Sequence, residues 1–344
     1  MGSRCFRRFF LLLILAVLLL QGTGLVSAHA PLGVGSNEDI ANATFISNPE
    51  KSIVIYTELH ESNETQYYLF PMQKGQILYG SLQVPGPGSK VPDLVIIGPG
   101  IESSGTVPPF IEVPDGSGAM VIPGRPPGNP DYEPFTPQPI YEVARFNVTV
   151  PGDGDYYIAI AGSESGKYSL APGFLEEFTA REWLLIPYSV VAIHLWEGQS
   201  FATIIAPLIL VMIGGIALIV LYPGLGYVRR DPVAWLILIS GLLYLGGAAM
   251  TGLQVVHTVM LTGYTPAVLV TLLFILGPVV LGIAAILTGI RPPRPDSSLK
   301  TGIVMVIIGL LGLLVWAGFV LGPLLAIAAG LIVLARYFGK TMPA

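Results

Sequence analysis

The sequence predicts a jelly-roll-like β-sandwich, exported from the cell, followed by an α-helical membrane bundle of five transmembrane helices. Three observations lead there. Only 11% of the 344 residues are Asp, Glu, Lys or Arg, and 52% are hydrophobic, whereas a soluble domain carries about 25% charged residues. The charge is also unevenly placed: Ala202–Ala344 holds seven basic residues (Arg229, Arg230, Arg291, Arg294, Lys300, Arg336, Lys340) and two acids (Asp231, Asp296), so the net charge of −5 arises upstream. Finally, 41 Gly and 30 Pro are too many for a helical bundle alone and imply a second, turn-rich part. A simple cytosolic enzyme is excluded, and there is no basic footprint for nucleic acid.

Residues 1–28 read as a secretory signal. Arg4, Arg7 and Arg8 precede an apolar run of 12 residues, Phe9–Leu20, and small residues follow at Val26-Ser27-Ala28. Cleavage after Ala30 would put Pro31 directly behind the scissile bond, so the expected cut is after Ala28, which makes His29 the mature N-terminus. Cys5, the single cysteine, would leave with the peptide, and the mature chain would have no thiol or disulfide.

Residues 29–173 change to short β-rich runs between Gly, Pro, Asn and Ser. Ser52–Tyr56, Gln66–Phe70, Ile77–Leu82, Leu94–Ile97, Arg145–Val150, Tyr156–Ile160 and Tyr168–Leu170 have strand length and β-branched or aromatic content. About seven such strands separated by turn signals suggest a sandwich, and its length suffices to bury a core without staples.

Several of these residues resemble a known family. Ser36-Asn37-Glu38-Asp39, Ala43-Thr44, Gln66–Phe70, Lys74–Leu78 and Leu94–Gly100 look like the opening half of bacterial pre-peptidase C-terminal (PPC) domains. Phe146, Val150–Ile158 and Gly166–Leu170 look like the closing half. The resemblance covers residues 36–172 and implies a non-catalytic, jelly-roll-like module on a secreted or surface protein. The departure from the pattern is the insertion at residues 85–139, which holds 14 of the 30 prolines. It reads either as a partner-binding loop or as a structured insertion packed on the sandwich. Sequons at Asn42, Asn63 and Asn147 are glycosylation candidates; Asn147 falls inside an expected strand.

Residues 174–200 form a connector, in which the apolar stretch Trp183–Trp196 is too short to span a membrane and is expected to be interrupted at Pro187. Trp183, Tyr188 and Trp196 suit a headgroup region, so an interfacial helix or re-entrant turn is expected. Three apolar segments follow at residues 202–222, 233–253 and 267–289, free of Asp, Glu, Lys, Arg and His. Residues 302–338 are long enough for two more, 302–318 and 321–338, turning near Gly318–Pro323.

Five spans place all seven basic residues on one side, as the positive-inside rule asks: N-terminal domain outside, C-terminus cytoplasmic, in the plasma membrane. The Gly-rich spans (Gly214-Gly215, Gly241, Gly246-Gly247, Gly309, Gly312) suit close helix packing, a partner or a homo-oligomer, as the Pro-rich loop also does.

The spans carry no ionisable residue, which argues against ion-coupled transport. No nucleophile elbow, HExxH, P-loop or dinucleotide fingerprint occurs, so the expected role is non-catalytic: a membrane-anchored surface module making protein or glycan contacts, surrounded by membrane lipid. A second reading is a copper-handling accessory protein, with the amine and imidazole of His29 joined by His60, the other histidine of the sandwich region. A passive permeation or lipid-handling bundle is a third. Gly152-Asp153-Gly154-Asp155 reads as a hairpin turn, with calcium as the alternative.

Overall fold

The computed structural model describes residues 30–31, 36–291 and 298–341. The signal segment 1–28, the expected cut after Ala28, Cys5, His29, Arg294 and Asp296 lie outside the described residues. Two compact units are present: the described residues up to Glu182 with Ala192–Gly198, and Trp183–Val191 with the described residues from Gln199 onward.

The first unit is built from β1 (Ala30–Pro31), β2 (Thr44–Phe45), β3 (Ile53–Leu59), β4 (Glu64–Met72), β5 (Ile77–Val84), β6 (Asp93–Pro99), β7 (Ser117–Ile122), β8 (Asp131–Glu133), β9 (Gln138–Thr149), β10 (Gly154–Gly162) and β11 (Gly166–Pro172). They form two sheets, ordered β1-β3-β11-β5-β9-β8 and β2-β4-β10-β6-β7. The seven runs read from the sequence are all strands. β1, β2, β7 and β8 escaped it because they are two or three residues long or, in β7, carry Ser and Gly where β-branched residues were sought.

Alternation puts Ile55 (β3), Tyr68 and Phe70 (β4), Leu78 and Leu82 (β5), Ile158 and Ile160 (β10) and Leu170 (β11) into one core shared by both sheets. Inside it, the Tyr68 hydroxyl meets that of Tyr168 at 2.7 Å, and Tyr168 donates to Gln66 Oε1 at 2.7 Å. This chain joins β4 of one sheet to β11 of the other and satisfies polar groups the core would otherwise strand. Desolvation pushes the Tyr68 phenol up to about 12.

The second sheet is buried on both faces. Tyr67, Val95, Ile97, Ala159 and Ala161 point away from the shared core and pack with Ile111, Val107 and Val113, which belong to the connection between β6 and β7. Burial of both faces is why Leu94-Val95-Ile96-Ile97 reads as an unbroken apolar run. The connection is tied down by Tyr67, whose hydroxyl accepts from Glu112 N at 2.8 Å, and by Ser103 Oγ, which accepts from Ala119 N at 3.1 Å. At Gly118 a Cβ would overlap the Ile101 carbonyl, so the close crossing requires glycine. This part of the 85–139 insertion is thus packed on the sandwich.

Helix α1 (Ala180–Trp196) contributes to both units. It starts on a capping box, in which Thr179 Oγ1 accepts from Glu182 N and the Glu182 carboxylate accepts from Thr179 N. The interruption expected at Pro187 is absent, and the helix continues through it. The missing N–H of an internal proline frees one carbonyl, a loss that tertiary packing can outweigh.

The second unit holds α2 (Phe201–Leu221), α3 (Pro232–Thr262), α4 (Val268–Gly289), α5 (Ser298–Leu314) and α6 (Leu321–Thr341). Four helices, α2, α3, α4 and α6, are long and apolar enough to cross a membrane, and α5 has 17 residues. Ser200 caps α2, and Asp231 with Pro232 starts α3. The expected second span, 233–253, is part of a longer helix that runs through Gln254 and His257 to Thr262 and stops at Gly263, φ +76°.

The turn expected near residues 318–323 lies at 315–320, where Trp316, Gly318, Phe319 and Val320 all have positive φ. Trp316 stacks on Phe274 with ring centroids 4.3 Å apart and meets Trp183 at 4.7 Å; Tyr188 donates to the Phe319 carbonyl at 2.8 Å. Many glycines serve packing within the chain. A Cβ at Gly241 would meet the Gly282 carbonyl, and one at Gly302 the Gly330 carbonyl, so α3 against α4 and α5 against α6 approach through small residues. Tyr244 fills the space between α3 and α5, its hydroxyl donating to the Ile308 carbonyl at 3.3 Å.

Candidate functional site

A gathering of ionisable and polar side chains in the sandwich unit lies on the outer face of the six-stranded sheet. On β3, odd positions such as Ile53 and Ile55 face the shared core, so Tyr56 faces out. Across the sheet, β3, β11 and β5 align Tyr56 with Ser169 and Ser169 with Gln83. Ser169 Oγ donates to Gln83 Oε1 at 3.2 Å. The β8–β9 hairpin supplies Glu133 and Gln138, both buried.

Residues 192–198 complete the cover: the last turn of α1 and the two residues after it. Gln138 Nε2 donates to the Tyr56 hydroxyl at 2.7 Å, and the Trp196 ring meets that of Tyr56 edge-on at 5.0 Å. Trp196 Nε1 donates to the Thr57 carbonyl at 3.0 Å. Lys167 Nζ donates to the Trp196 carbonyl at 3.0 Å, neutralising a helix C-terminal acceptor. His194 is 1% exposed and pairs with Glu197 at 2.8 Å.

Burial drives the electrostatics. Desolvation pushes the Glu133 carboxyl up to about 8; the Phe135 N–H opposes this, and the Glu176 charge adds to it. Glu133 is therefore mainly protonated at neutral pH. The Tyr56 phenol is pushed far above its ordinary value, first by desolvation, with Gln138 opposing and the Glu133 and Glu197 charges adding. A carboxyl, a phenol and an imidazole–carboxylate pair are the residue types of acid–base chemistry. Here Glu133 accepts from Phe135 N, Tyr56 from Gln138 and His194 pairs with Glu197, while the Tyr56 ring, the Thr57 carbonyl and Lys167 grip Trp196 as a clamp.

Sequence reasoning missed this cluster. Asp131-Tyr132-Glu133-Pro134 carries no local sign of burial, yet Glu133 is buried. The one available signal was Trp196, an aromatic flanked by His194 and Glu197.

The residues singled out from the sequence are dispersed. His60 is exposed, between Glu58 at 3.7 Å and Glu64 at 3.6 Å. The Glu64 carboxylate, although partly buried, is held below its ordinary value by bonds from Gln66 and from the Glu61 and His60 amides. Ala30, the covalent neighbour of His29, pairs with Ile53 at one end of β3, and His60 follows Leu59 at the other. Six strand steps separate Ile53 from Leu59, about 20 Å.

Asp153 Oδ1 accepts from Lys74 N at 2.7 Å, an engagement typical of a turn carboxylate. Among the described residues, no group of three or more His, Cys, Asp and Glu is placed to hold a metal. Asn42, Asn63 and Asn147 are all exposed: Asn63 has φ +62°, and Asn147 sits on β9 opposite Tyr79.

No family model and no curated protein matches the chain.

Proposed function

We propose that the protein is a membrane-anchored surface protein whose β-sandwich, a PPC-like and jelly-roll-like module, acts by non-catalytic contact with a protein or glycan. The observation carrying this reading is the clamp. Residues 192–198 are held on the outer face of the sheet by Tyr56, Thr57 and Lys167, all three through Trp196, and α2, the first apolar helix, begins three residues later. A domain whose outer sheet face grips the segment leading to its own anchor is suited to display. The contact surface we assign is the turn at Pro108-Pro109-Phe110, where Ile111 N donates to Pro108 O at 3.0 Å and Phe110 is 36% exposed. It is preorganised by the packing of its connection on the sheet.

The anchor is read as five crossings, α2 to α6, with the sandwich outside a plasma membrane. The Arg336–Asp231 pair at 3.7 Å supports this, because it sets the α2–α3 connection beside the later part of α6. An odd number of crossings puts those two basic segments on one side. Helix α5 extends about 26 Å, and Lys300 near its start can snorkel across the remaining depth.

The experiment is crosslinking on intact membranes followed by capture of wild type and Phe110→Ser. Expected is a discrete partner that the variant loses. The same partner retained by Phe110→Ser moves the contact elsewhere on the sandwich, and no partner with either chain overturns the reading.

A further inference from the structure

One end of the helical unit contains a cavity of about 570 Å³ that nothing above uses. Its wall comes from four helices and one connection: Tyr227 and Asp231 between α2 and α3, the start of α3, the end of α4 with Thr288 and Arg291, the start of α5 with Ser298, Lys300 and Thr301, and one residue of α6. The volume falls in the range of small-molecule sites.

The wall is graded. Asp231, Arg291, Ser298 and Lys300 lie at or beside helix ends, whereas Ile237 and Val304 lie one or two turns further along α3 and α5. At 1.5 Å per residue, Ile237 sits about 9 Å along the axis from Asp231. The mouth is therefore cationic and hydroxyl-bearing and the interior aliphatic. Among the described residues the one acid of the wall, Asp231, is engaged twice, capping Val233 N at 3.0 Å and facing Arg336 at 3.7 Å. Among the described residues, no carboxylate lies within ion-pair distance of Arg291 or Lys300. A ligand matching this wall has an anionic head, able to take Arg and Lys donors together with Ser and Thr hydroxyls, and an apolar tail.

We propose that this cavity binds the phosphate of an anionic glycerolipid, with Arg291 and Lys300 on the phosphate, Ser298 and Thr301 beside it, and acyl carbons against Ile237 and Val304. Arg supplies a planar, bidentate phosphate donor and Lys a point charge. Basic pockets between membrane helices are recognised sites for anionic lipid headgroups.

The test uses the full chain in phosphatidylcholine nanodiscs, titrated with short-chain phosphatidylglycerol and read by the unfolding midpoint. Expected is a saturable rise that the same chain length of phosphatidylcholine does not give. Arg291→Gln with Lys300→Gln should weaken apparent affinity at least tenfold. Arg230→Gln, an exposed cation outside the wall, should change it less than twofold, and Val304→Trp, which fills the interior, should also weaken it. Each variant's lipid-free midpoint reports whether it folds; if the double variant fails, Lys300→Gln alone is read, with at least a threefold loss expected. Equal loss with Arg230→Gln marks attraction to the surface in general and overturns the proposal. Equal binding of glycerol phosphate, which lacks a tail, overturns the lipid assignment in favour of a free phosphate ester.

Discussion

The side-chain amides of Gln199 and Gln254 exchange two hydrogen bonds: Gln199 Nε2 donates to Gln254 Oε1 at 3.0 Å, and Gln254 Nε2 returns the donation at 2.9 Å. Gln254 is 4% exposed, so the pair satisfies a buried amide on α3 from a residue two positions before α2. It also explains why α3 continues past the apolar segment: Gln254 has a partner and is not a helix-ending exposure to water.

Gln254→Ala should therefore destabilise the helical unit by about 1–3 kcal/mol, the cost of orphaning a buried polar partner. The double change Gln199→Leu with Gln254→Leu should recover most of that loss. Thermal unfolding of the detergent-solubilised chain in a double-mutant cycle measures the coupling; strictly additive effects would show that the pair contributes nothing.

Glu133 sets a pH dependence. Its folded carboxyl titrates near 8 against an ordinary 4.5, so between these values the folded state holds a proton that the unfolded state has released. Stability should be highest below about pH 4.5 as far as this group is concerned, fall as pH rises to 8, and then level off. The decline is ~5 kcal/mol at most. Glu133→Gln should flatten this part of the profile and unfold later than wild type at pH 8. An unchanged slope would place the ionised carboxylate in a solvated site. Glu64, held low, acts only in more acid solution.

Gly118→Ala should be among the most damaging single changes in the sandwich. A methyl group there overlaps the backbone carbonyl of Ile101, which cannot rotate away as a side chain could. A loss of about 2–4 kcal/mol is expected, with the 100–116 connection becoming protease-sensitive before the strands do. Gly116→Ala probes the positive φ of +81° with no nearby atom and should cost about 1 kcal/mol. Limited proteolysis with mapped cut sites distinguishes the two.

Topology is testable at two described positions. With five crossings, Ser298→Cys should resist an impermeant maleimide applied from outside, and Thr265→Cys should react. The reverse pattern inverts the bundle, and labelling of both removes one crossing.

How much of this was legible in the sequence depends on the range of the interactions involved. The β6 run, the α5–α6 break near Gly318 and the three long apolar segments are local signals in pattern, turn chemistry and length, and all were readable. Pro187 was misread because the proline penalty is local, whereas the packing on either side of it is not. Helix α3 was cut short because Gln254 and His257 look like an exit to water until Gln199, 55 positions away, is brought alongside. The candidate cluster was the least legible part: Tyr56, Glu133 and Trp196 are separated by stretches of unremarkable turn sequence, and only the sheet order brings them to one face.

The clamp also imposes an order on biosynthesis. Residues 192–198 are the last of the sandwich unit to be made, and synthesis runs at about 5–20 residues per second. A nascent chain that has released everything through β11 still has the outer face of its six-stranded sheet without part of its lid. That lid arrives together with the leading edge of α2, so completion of the domain coincides with delivery of the first apolar helix. Secreted fragments ending at Gly173 should accordingly need a chaperone or a substitute cover, whereas fragments reaching Gly198 should not.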